Sequence, residues 1–462
     1  MLTLKHIVEL DALELQQLYE KLQKSVTLAS LVLAAWQIGL WFARTLVNHH
    51  LNERAQLPQS WGNCHQCGSH LQSKGFVPRR ILTLVGWVEW RRRVGRCPNR
   101  CAGSHDAPFD QVLGIAPDQQ TSIELVRLGC LLAVFLPFEL AVQLLSQLCG
   151  VHISDDTVWQ WVQRFGRQAM QRLNRELDNL HQGVEPAMEA IDPILMELPL
   201  VIAADGVTVP FRAQGGTPKG KIRFQEVKIA LLARIRSVQT RSAQTKTRLE
   251  QRRLVAVLGD IAALQARLQL EALRQGITTA PQVVWISDGA RGFWRLFEQH
   301  FAGIAIGILD FYHAAQQLGE AAEAYGDTLP TRTPQQWFER VRHQLRHGYV
   351  HRIVQELGRL LQYPSTPASA KPGLKRVQQY LSKHLPHLQY RSFKKQGFPI
   401  GSGMVESACK WLIEQRFKGT GMRWSETGFN HLLHLRLAWV NGRFDPLFAE
   451  HPLTLHLYSP NR

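Results

Sequence analysis

Acidic residues are scarce in this chain relative to basic ones. Its 462 residues include 37 Asp and Glu against 54 Lys and Arg, which gives a formal net charge of +17 at neutral pH. Such an excess suits a polyanionic partner such as a nucleic acid, although a ribosomal or membrane-surface protein would also carry it. The length leaves room for about three domains and a substantial core.

We expect no secretory leader, and disulfide bonds are therefore disfavoured for the seven cysteines. Long uncharged stretches are scarce as well. Residues 25–47 are uncharged for the 19 positions before Arg44, which is long enough to span a bilayer. They include Gln37 and Gly39, however, and they follow an acidic amphipathic segment. We expect a buried or oligomer-forming helix here, no membrane partner and a cytoplasmic location.

Four of the cysteines form two close pairs. The pairs are Cys64 with Cys67 and Cys97 with Cys101. Two residues lie inside the first pair, three inside the second and 29 between the pairs, and the intervening segment alternates like a β-hairpin with Gly86 near its turn. This spacing resembles paired zinc knuckles and predicts a structural Zn²⁺ site. The third residue inside the second pair leaves His65 or His105 as substitute ligands.

The predicted zinc module is rich in basic residues. It contains Arg91, Arg92 and Arg93, and Glu89 is the only acid among its basic positions. Guanidinium groups clustered in this way are typical of proteins that neutralise DNA phosphates. We therefore expect the module to contact DNA.

A second DNA-binding element is predicted in the helical region that follows, residues 120–175. One helix there stops at Gly150, and another restarts after Ser154 or Asp155. Two helices joined by a tight turn resemble a helix-turn-helix. An ordinary helical hairpin that supports a catalytic domain is the alternative. In the first case the residues facing DNA would be Gln160, Arg164 and Arg167.

Three carboxylates in the second half of the chain stand in separate local patterns. Asp205 lies within an apolar run, residues 198–212, that is typical of a central strand. Asp288 ends a β-branched run before a glycine turn, and Glu406 falls in the first turn of a helix that follows Gly403. An Asp before Gly is often only a turn residue, but an acid inside an apolar run is costly to bury unpaired. Such acids would serve as ligands of divalent metal ions, which would offset their charge.

A fourth pattern lies between the second and third carboxylates. The apolar run in residues 303–318 ends at Asp310, and His313 opens a helix. The order of these motifs resembles the DDE transposases of bacterial insertion sequences, in particular the ISKra-type and mutator-like group. In that group the first Asp lies on strand one and the second just after strand four. An Asp or Cys with a nearby His ends strand five, and the Glu begins a late helix.

The resemblance implies an α/β fold. The catalytic core would be a ribonuclease-H-like mixed five-stranded sheet flanked by helices, interrupted by an α-helical insertion and preceded by the zinc-ribbon-like module and the helix-turn-helix-like region. The implied segments are an N-terminal helical region (1–55), the zinc module (56–115), the helical DNA-binding region (116–190), the first part of the core (196–330), the insertion (331–398) and the completion of the core (399–462).

The resemblance also implies an activity. Asp205, Asp288 and Glu406 would bind two Mg²⁺ or Mn²⁺ ions and catalyse DNA cleavage and strand transfer, without a covalent protein–DNA intermediate. Asp310 and His313 would support them, although Asp310 could be the second metal ligand in place of Asp288.

The implied partners are the terminal inverted repeats of the element and the target DNA, within the nucleoid. A homo-oligomer, a synaptic dimer or larger, would hold two DNA ends at once. Three residues near the catalytic Glu are predicted to contact DNA: Lys410, Arg423 and Trp424. Two other functions fit part of the pattern: a ribonuclease-H-like nuclease or resolvase that does not join DNA, and a domesticated regulator that binds DNA but is catalytically silent.

Overall fold

The structure is a computed structural model of the chain. It describes residues 12–57, 60–101, 105–213, 221–239, 245–325 and 333–448. The chain divides into two compact units, unit 1 (Met1–Phe165 with Asp445–Arg462) and unit 2 (Gly166–Phe444). The segments predicted from the sequence are finer than this division and stay predictions.

Unit 1 contains a three-stranded antiparallel sheet. Strands β1 (Gln72–Thr83) and β2 (Gly86–Arg96) form a hairpin, and the short β3 (His105–Asp106) pairs with β2. Gly86 has a φ of 100° at the hairpin turn, a conformation that glycine adopts without strain. The predicted hairpin between the cysteine pairs is therefore observed. The helices around it are α1 (Ala12–Gln23), α2 (Leu28–Ala55), α3 (Pro108–Val112), α4 (Ile123–Phe135) and α5 (Phe138–Cys149).

The core of unit 1 follows from the alternation along the hairpin. Val88 and Trp90 of β2 are buried and pack with Ile81 of β1 and with Phe109. The residues that alternate with them along β2, such as Glu89 and Arg91, point to the other side and are exposed. The hairpin thus buries one face and presents the other to solvent.

Helix α2 covers the apolar stretch near the N-terminus. It is the one helix in the described part of the chain that is long and apolar enough to cross a membrane. Only 17% of its most apolar window is buried, and Leu33 and Trp36 are 63% and 56% exposed. Within unit 1 the helix is held to β2 by Asn48 and Asn52, whose side-chain oxygens accept the N–H groups of Glu89 (2.9 Å) and Arg91 (3.0 Å). The expectation of a buried helix is wrong for this unit, and an oligomer-forming helix stays a prediction.

Unit 2 is built on a five-stranded mixed sheet. Its strands are β4 (Leu200–Phe211), β5 (Arg223–Gln239), β6 (Thr245–Leu258), β7 (Val283–Ser287) and β8 (Ala305–Leu309). They are arranged in the order β6, β5, β4, β7, β8. Strand β5 is antiparallel to both of its neighbours, β6 and β4, whereas β7 and β8 run parallel to β4. The predicted mixed five-stranded sheet is confirmed, with the strand predicted to be central, β4, in the middle.

Continuous apolar runs explain why β4 and β7 occupy the interior. Parallel strands are covered on both faces, and they therefore need apolar side chains at successive positions. All five residues of β7 are buried, and so are Leu200 to Ala204 of β4. The remaining helices are α6 (Asp155–His181), α7 (Pro193–Met196), α8 (Ile261–Arg274), α9 (Arg291–His300), α10 (Phe311–Tyr325), α11 (Pro334–Arg346), α12 (Val350–Gln362), α13 (Lys371–Lys383), α14 (Tyr390–Lys395), α15 (Gly403–Ala408), α16 (Gln415–Phe417) and α17 (Glu426–Val440).

Four helices, α11 to α14, occupy the segment predicted to be a helical insertion. Their apolar residues recur every three or four positions and are buried, for example Val341, Leu345 and Leu381. The end of the segment is fixed to β8, because the Tyr390 hydroxyl donates to the Leu309 carbonyl (2.9 Å). We call residues 333–398 the insertion.

Buried histidines make unit 2 sensitive to acid. Burial lowers the pKa of His434 to about 4, whereas an exposed histidine titrates near 6.5. The unfolded chain therefore binds this proton more readily, so the stabilisation is complete above pH 6.5 and is lost as the pH falls towards 4. Through this group the wild type is expected to lose about 2 kcal/mol of unfolding free energy between pH 7 and pH 5. His434→Gln should abolish that loss, because Gln does not titrate. Gln also keeps an N–H donor for the Asn430 carbonyl.

Urea unfolding at the two pH values measures this effect. The exposed His300, substituted in the same way, serves as the matched control and should leave the pH dependence unchanged. Equal pH dependence in the His434→Gln protein and the wild type would contradict the prediction.

Candidate functional site

Three aspartates lie side by side at one end of the unit 2 sheet. Ala204 of β4 is in register with Ser287 of β7, and Ser287 is in register with Leu309 of β8. The residue that follows each of these three in sequence is an acid: Asp205, Asp288 and Asp310. Adjacent strands are about 4.8 Å apart, so the three carboxyl groups start from neighbouring positions. We call these three residues the acidic row.

Glu406 joins the acidic row from α15. Its Oε1 accepts a hydrogen bond from the Ser402 hydroxyl (2.9 Å), and the Ser402 N–H donates to Asp310 Oδ2. One serine therefore links the helix of Glu406 to the end of β8. Ligand atoms of Asp310, His313 and Glu406 all lie within 4.8 Å of one another, close enough to hold a metal ion. Asp205 is not a member of this close group, and neither is Asp288.

Asp310 is held as a buried anion. Its Oδ1 accepts the His313 N–H (2.7 Å) and lies 3.2 Å from His313 Nδ1, and its Oδ2 accepts the Ser402 N–H. Burial acts to raise the pKa of Asp310, but these hydrogen bonds outweigh it and leave the pKa below its usual range. Both oxygens are thus engaged by the protein, and Asp310 fixes the positions of His313 and Ser402.

Asp205 and Asp288 differ from Asp310 in burial and in charge balance. Both are only partly buried. Burial raises the pKa of Asp205, and the negative charges of Asp288 and Glu406 raise it further. Burial also raises the pKa of Asp288, with added repulsion from Asp310 and Glu226. These carboxylates repel one another, and a bound cation would offset that repulsion.

The donors fit divalent ions. Carboxylate oxygens are the ligands that Mg²⁺ prefers, and Mn²⁺ also accepts an imidazole nitrogen such as that of His313. His313 is 41% exposed at its side chain, and its Nδ1 faces Asp310, which leaves Nε2 to face outwards. The site can therefore bind a cation either through the carboxylates alone or through carboxylates with His313.

Two residues of this site were missed by the sequence interpretation. The sequence pattern assigns no role to Ser402, although its hydroxyl and its N–H orient two acids. It assigns none to Cys409 either, which is buried and whose thiol lies 3.8 Å from Asp205 Oδ2. The signal that could have revealed Cys409 is its position one turn after Glu406. It begins a π-helical turn, Cys409–Glu414, a distortion that is frequent at functional sites.

Tyr380 of the insertion also reaches the site. A Cβ atom on Gly289 would lie 2.7 Å from Tyr380 Cζ and closer still to its hydroxyl. The glycine after Asp288 therefore makes space for a tyrosine from another helix. Sequence periodicity could not reveal this contact, because the two residues are 91 positions apart.

Gly289→Ala is expected to destabilise unit 2 by about 1–3 kcal/mol, since the added methyl group overpacks against the Tyr380 ring. Gly303→Ala is the matched control, because a Cβ there meets no atom within 4 Å. Thermal unfolding of both variants and of the double variant Gly289→Ala with Tyr380→Ala measures the effect. In the Tyr380→Ala background, Gly289→Ala should lower the unfolding free energy much less than it does in the wild type. An equal cost in both backgrounds would contradict the assigned contact.

The four predicted zinc ligands converge in unit 1. The sulfur atoms of Cys64, Cys67, Cys97 and Cys101 all lie within 4.8 Å of one another. The Cys67 and Cys97 sulfurs are 3.4 Å apart. Hydrogen bonds from Ser69 and Asn99 lower the pKa of Cys67 to about 5, so this thiol is readily available as a thiolate. The donor set fits a tetrahedral structural zinc ion.

The three-residue spacing of the second pair has a backbone explanation. The Arg100 N–H donates to the Cys97 carbonyl (3.1 Å), and Arg100 adopts the left-handed conformation with a φ of 56°. This turn accommodates the additional residue, and Cys101 still reaches the cluster. His65 is exposed and not part of the cluster, and the side chain of His105 lies outside the described residues.

The arginines predicted to contact DNA on β2 have different surroundings. Arg91 is exposed. Arg92 is partly buried and paired with Asp110 (2.9 Å), and Arg93 lies 5.0 Å from the Phe76 ring centroid. Arg91 is thus the most accessible of the three.

The helical hairpin predicted as a DNA reader has the expected local form. Helix α5 ends at Gly150, which has a φ of 65°, and α6 begins at Asp155. Gln160, Arg164 and Arg167 are all exposed on α6. A role in reading DNA stays a prediction for these residues.

The three residues predicted to contact DNA near Glu406 are also distinct. Lys410 and Arg423 are exposed. Trp424 is partly buried, because its indole N–H donates to the Phe417 carbonyl (3.0 Å) and its ring packs on Phe417 with centroids 5.1 Å apart. The packing of Trp424 gives it a structural role beside any contact with DNA.

Comparisons with known proteins add little to this geometry. No family model and no curated protein matches the chain. Among solved structures, a chain of the Drosophila P element transposase strand transfer complex matches with 11% sequence identity over 71% of this chain and 80% of that chain, at a TM-score of 0.24. A TM-score this low marks a weak likeness, which establishes neither a shared fold nor a shared function.

Proposed function

We propose that the chain is a DDE-type transposase with a ribonuclease-H-like catalytic core. The observation that carries the proposal is the acidic row, in which Asp205, Asp288 and Asp310 follow residues in register on three neighbouring strands. In chain order these are the first, fourth and fifth strands of the unit 2 sheet, the strands that carry the acids in the DDE group that the sequence resembles. Glu406 completes the set from a later helix.

In this proposal Asp205, Asp288 and Glu406 hold two Mg²⁺ or Mn²⁺ ions. When bound, such ions would activate a water or a 3′-hydroxyl and stabilise the leaving oxygen of an in-line displacement. Their partly buried side chains and mutual repulsion support this role. Asp310 acts as a positioning residue, since both of its oxygens already accept backbone N–H groups. His313, oriented by Asp310, would bind the scissile phosphate or serve as a ligand of a metal ion.

The close group of Asp310, His313 and Glu406 supports a second assignment of the metal ligands. In that assignment Asp310 replaces Asp288. We favour Asp288, because the group that the sequence resembles gives the strand-five Asp and His a supporting role, and the oxygens of Asp310 already accept two backbone N–H groups. The two assignments differ in the expected phenotype of Asp310→Asn, which is considered in the Discussion.

The proposal assigns DNA binding to several regions. Structural Zn²⁺ would order the β1–β2 hairpin, so that Arg91 and its neighbours Arg92 and Arg93 meet phosphates. Helix α6 would read the terminal repeats through Gln160, Arg164 and Arg167. Lys410, Arg423 and Trp424 would flank the cleaved DNA end. The partners are thus transposon ends and target DNA in the nucleoid, bound by a homo-oligomer that holds two ends.

A joining assay tests the proposed function. Purified protein is incubated with Mg²⁺, a labelled DNA that carries the repeats flanking the element, and a supercoiled target plasmid. We expect cleavage that exposes 3′-hydroxyls, followed by products joined covalently to the plasmid. Cleavage without any joined product would instead identify a nuclease or resolvase. Tight binding with neither reaction would identify a DNA-binding regulator.

A further inference from the structure

The insertion carries a strong positive charge. Residues 333–398 contain twelve Lys and Arg but only two Glu, Glu339 and Glu356. The apolar faces of its helices are buried, so the basic residues are left on the outside. Arg342, Arg346 and Lys383 are among those that are exposed. This excess is larger than a merely solvated helix surface requires, since such surfaces usually mix both signs.

The two acids do little to offset this charge at the surface. Glu356 is paired with Arg340, whose Nη1 lies 2.9 Å from Glu356 Oε2, and it also accepts the Trp337 indole N–H (2.8 Å). The negative charge of Glu356 is therefore neutralised by the partly buried Arg340. Glu339, on α11, accepts a hydrogen bond from Gln335 (2.7 Å). Glu320, which precedes the insertion, pairs with Arg376 (2.9 Å), and the remaining basic residues still outnumber the acids of the insertion.

A groove lies beside these arginines, along α12. Its lining includes Gln344, Arg352, Gln355, Arg359 and Tyr363, together with Glu356, whose carboxylate is paired with Arg340. Arg352 and Arg359 are seven residues apart and thus share one face of the helix, about 10 Å apart along its axis. Both are exposed, and Tyr363 at the end of the groove is 45% exposed. Guanidinium groups flanked by amides are suited to phosphate oxygens.

The insertion is firmly attached next to the acidic row. Tyr390 donates to the carbonyl of Leu309, the residue that precedes Asp310, and Tyr380 packs over Gly289, the residue that follows Asp288. Anything bound along α12 is therefore held at a fixed place relative to the acids of unit 2.

We infer that the insertion is a second phosphate-binding surface for double-stranded DNA, with Arg352 and Arg359 as its central contacts. The contact is to the backbone and independent of base sequence. That this DNA also reaches the acidic row rests on the proposed function, but the binding itself does not. Two phosphate contacts would contribute a slope of about 2 to the logarithmic dependence of affinity on salt concentration.

The test measures affinity for a random-sequence duplex by fluorescence anisotropy over a range of salt concentrations, in EDTA. We expect the double variant Arg352→Glu with Arg359→Glu to bind at least about tenfold more weakly at low salt, with a salt slope smaller by about 2. Arg352→Lys with Arg359→Lys should bind nearly as well as the wild type. The matched control is Lys21→Glu with Lys24→Glu, two exposed residues in the last turn of α1 and just after it, which changes the net charge equally and should have a clearly smaller effect.

Equal losses in the α12 variant and the α1 control would overturn the inference, because net charge alone would then explain them. The inference would also be overturned if the Glu variant lost affinity for single-stranded DNA of the same sequence but not for the duplex. Should the Glu variants fail to fold, as judged by circular dichroism, Arg352→Gln with Arg359→Gln is measured in their place. The assay needs no metal and no catalysis, so the inference can fail while the wild type cuts and joins DNA, and it can hold for a chain that does neither.

Discussion

Asp205→Asn is expected to lower the rate of DNA cleavage by at least about a thousandfold without unfolding the protein. The substitution removes one negative oxygen ligand from the proposed metal site. It also relieves the repulsion from Asp288 and Glu406 that, after burial, raises the pKa of Asp205. The metal-free variant should therefore be at least as stable as the wild type, although it is inactive. That combination separates loss of a ligand from loss of the fold.

Cleavage of labelled DNA under single-turnover conditions and unfolding in urea measure the two effects. Asp260→Asn is the matched control, because Asp260 caps α8 through its side chain and Asn caps equally well. The control should cleave at the rate of the wild type. Cleavage by Asp205→Asn within tenfold of the wild type would rule out a metal-binding role for this residue.

The same assay decides between Asp288 and Asp310. Asp288→Asn is expected to lose cleavage as Asp205→Asn does. Asp310→Asn is expected to lose stability, because the amide group of Asn would turn an N–H donor towards the N–H of His313 or of Ser402. If Asp310→Asn abolishes Mn²⁺ binding and Asp288→Asn does not, Asp310 is the second metal ligand.

Cys97→Ser is expected to remove one zinc equivalent and to unfold the β1–β2 hairpin. Structural zinc sites contribute on the order of 10 kcal/mol to small domains, and the serine hydroxyl does not replace a thiolate ligand. Cys97 is buried in the cluster with Leu71, so its loss also removes packing at the base of the hairpin. The expected result is therefore a module that is unfolded at neutral pH.

Elemental analysis and amide hydrogen exchange over the hairpin measure both consequences. Cys149→Ser is the matched control, because Cys149 is only partly buried at the end of α5 and is not part of the cysteine cluster. It should keep one zinc per chain and a protected hairpin. Full zinc content in the Cys97→Ser protein would show that the metal has other ligands.

Local patterns were sufficient to predict the elements that carry these residues. The apolar alternation around Asp205 predicted a central strand, and β4 is the central strand of the sheet. The hairpin between the cysteine pairs and the helices of the insertion were predicted in the same way. Such predictions succeed because the period of apolar residues reflects which face of an element is buried.

Other features could not be predicted in this way. The exposure of α2 within unit 1 is one of them. An apolar helix has the same sequence pattern whether it packs against its own chain or against another molecule. The links through Ser402 and Tyr380 are another, because they join residues 92 and 91 positions apart in the sequence. Contacts of this kind depend on how helices and strands pack, about which local periodicity says nothing.

The sequence by itself determined the excess of basic charge, the two cysteine pairs and the positions of four carboxylates in or next to predicted strands and helices. The tertiary structure alone decided that Asp205, Asp288 and Asp310 form a row, and that Asp310 is buried while the other two stay accessible. The physical reason is the register of the parallel strands, which is set by packing across the whole sheet. Only that register brings acids distant in the chain to neighbouring positions.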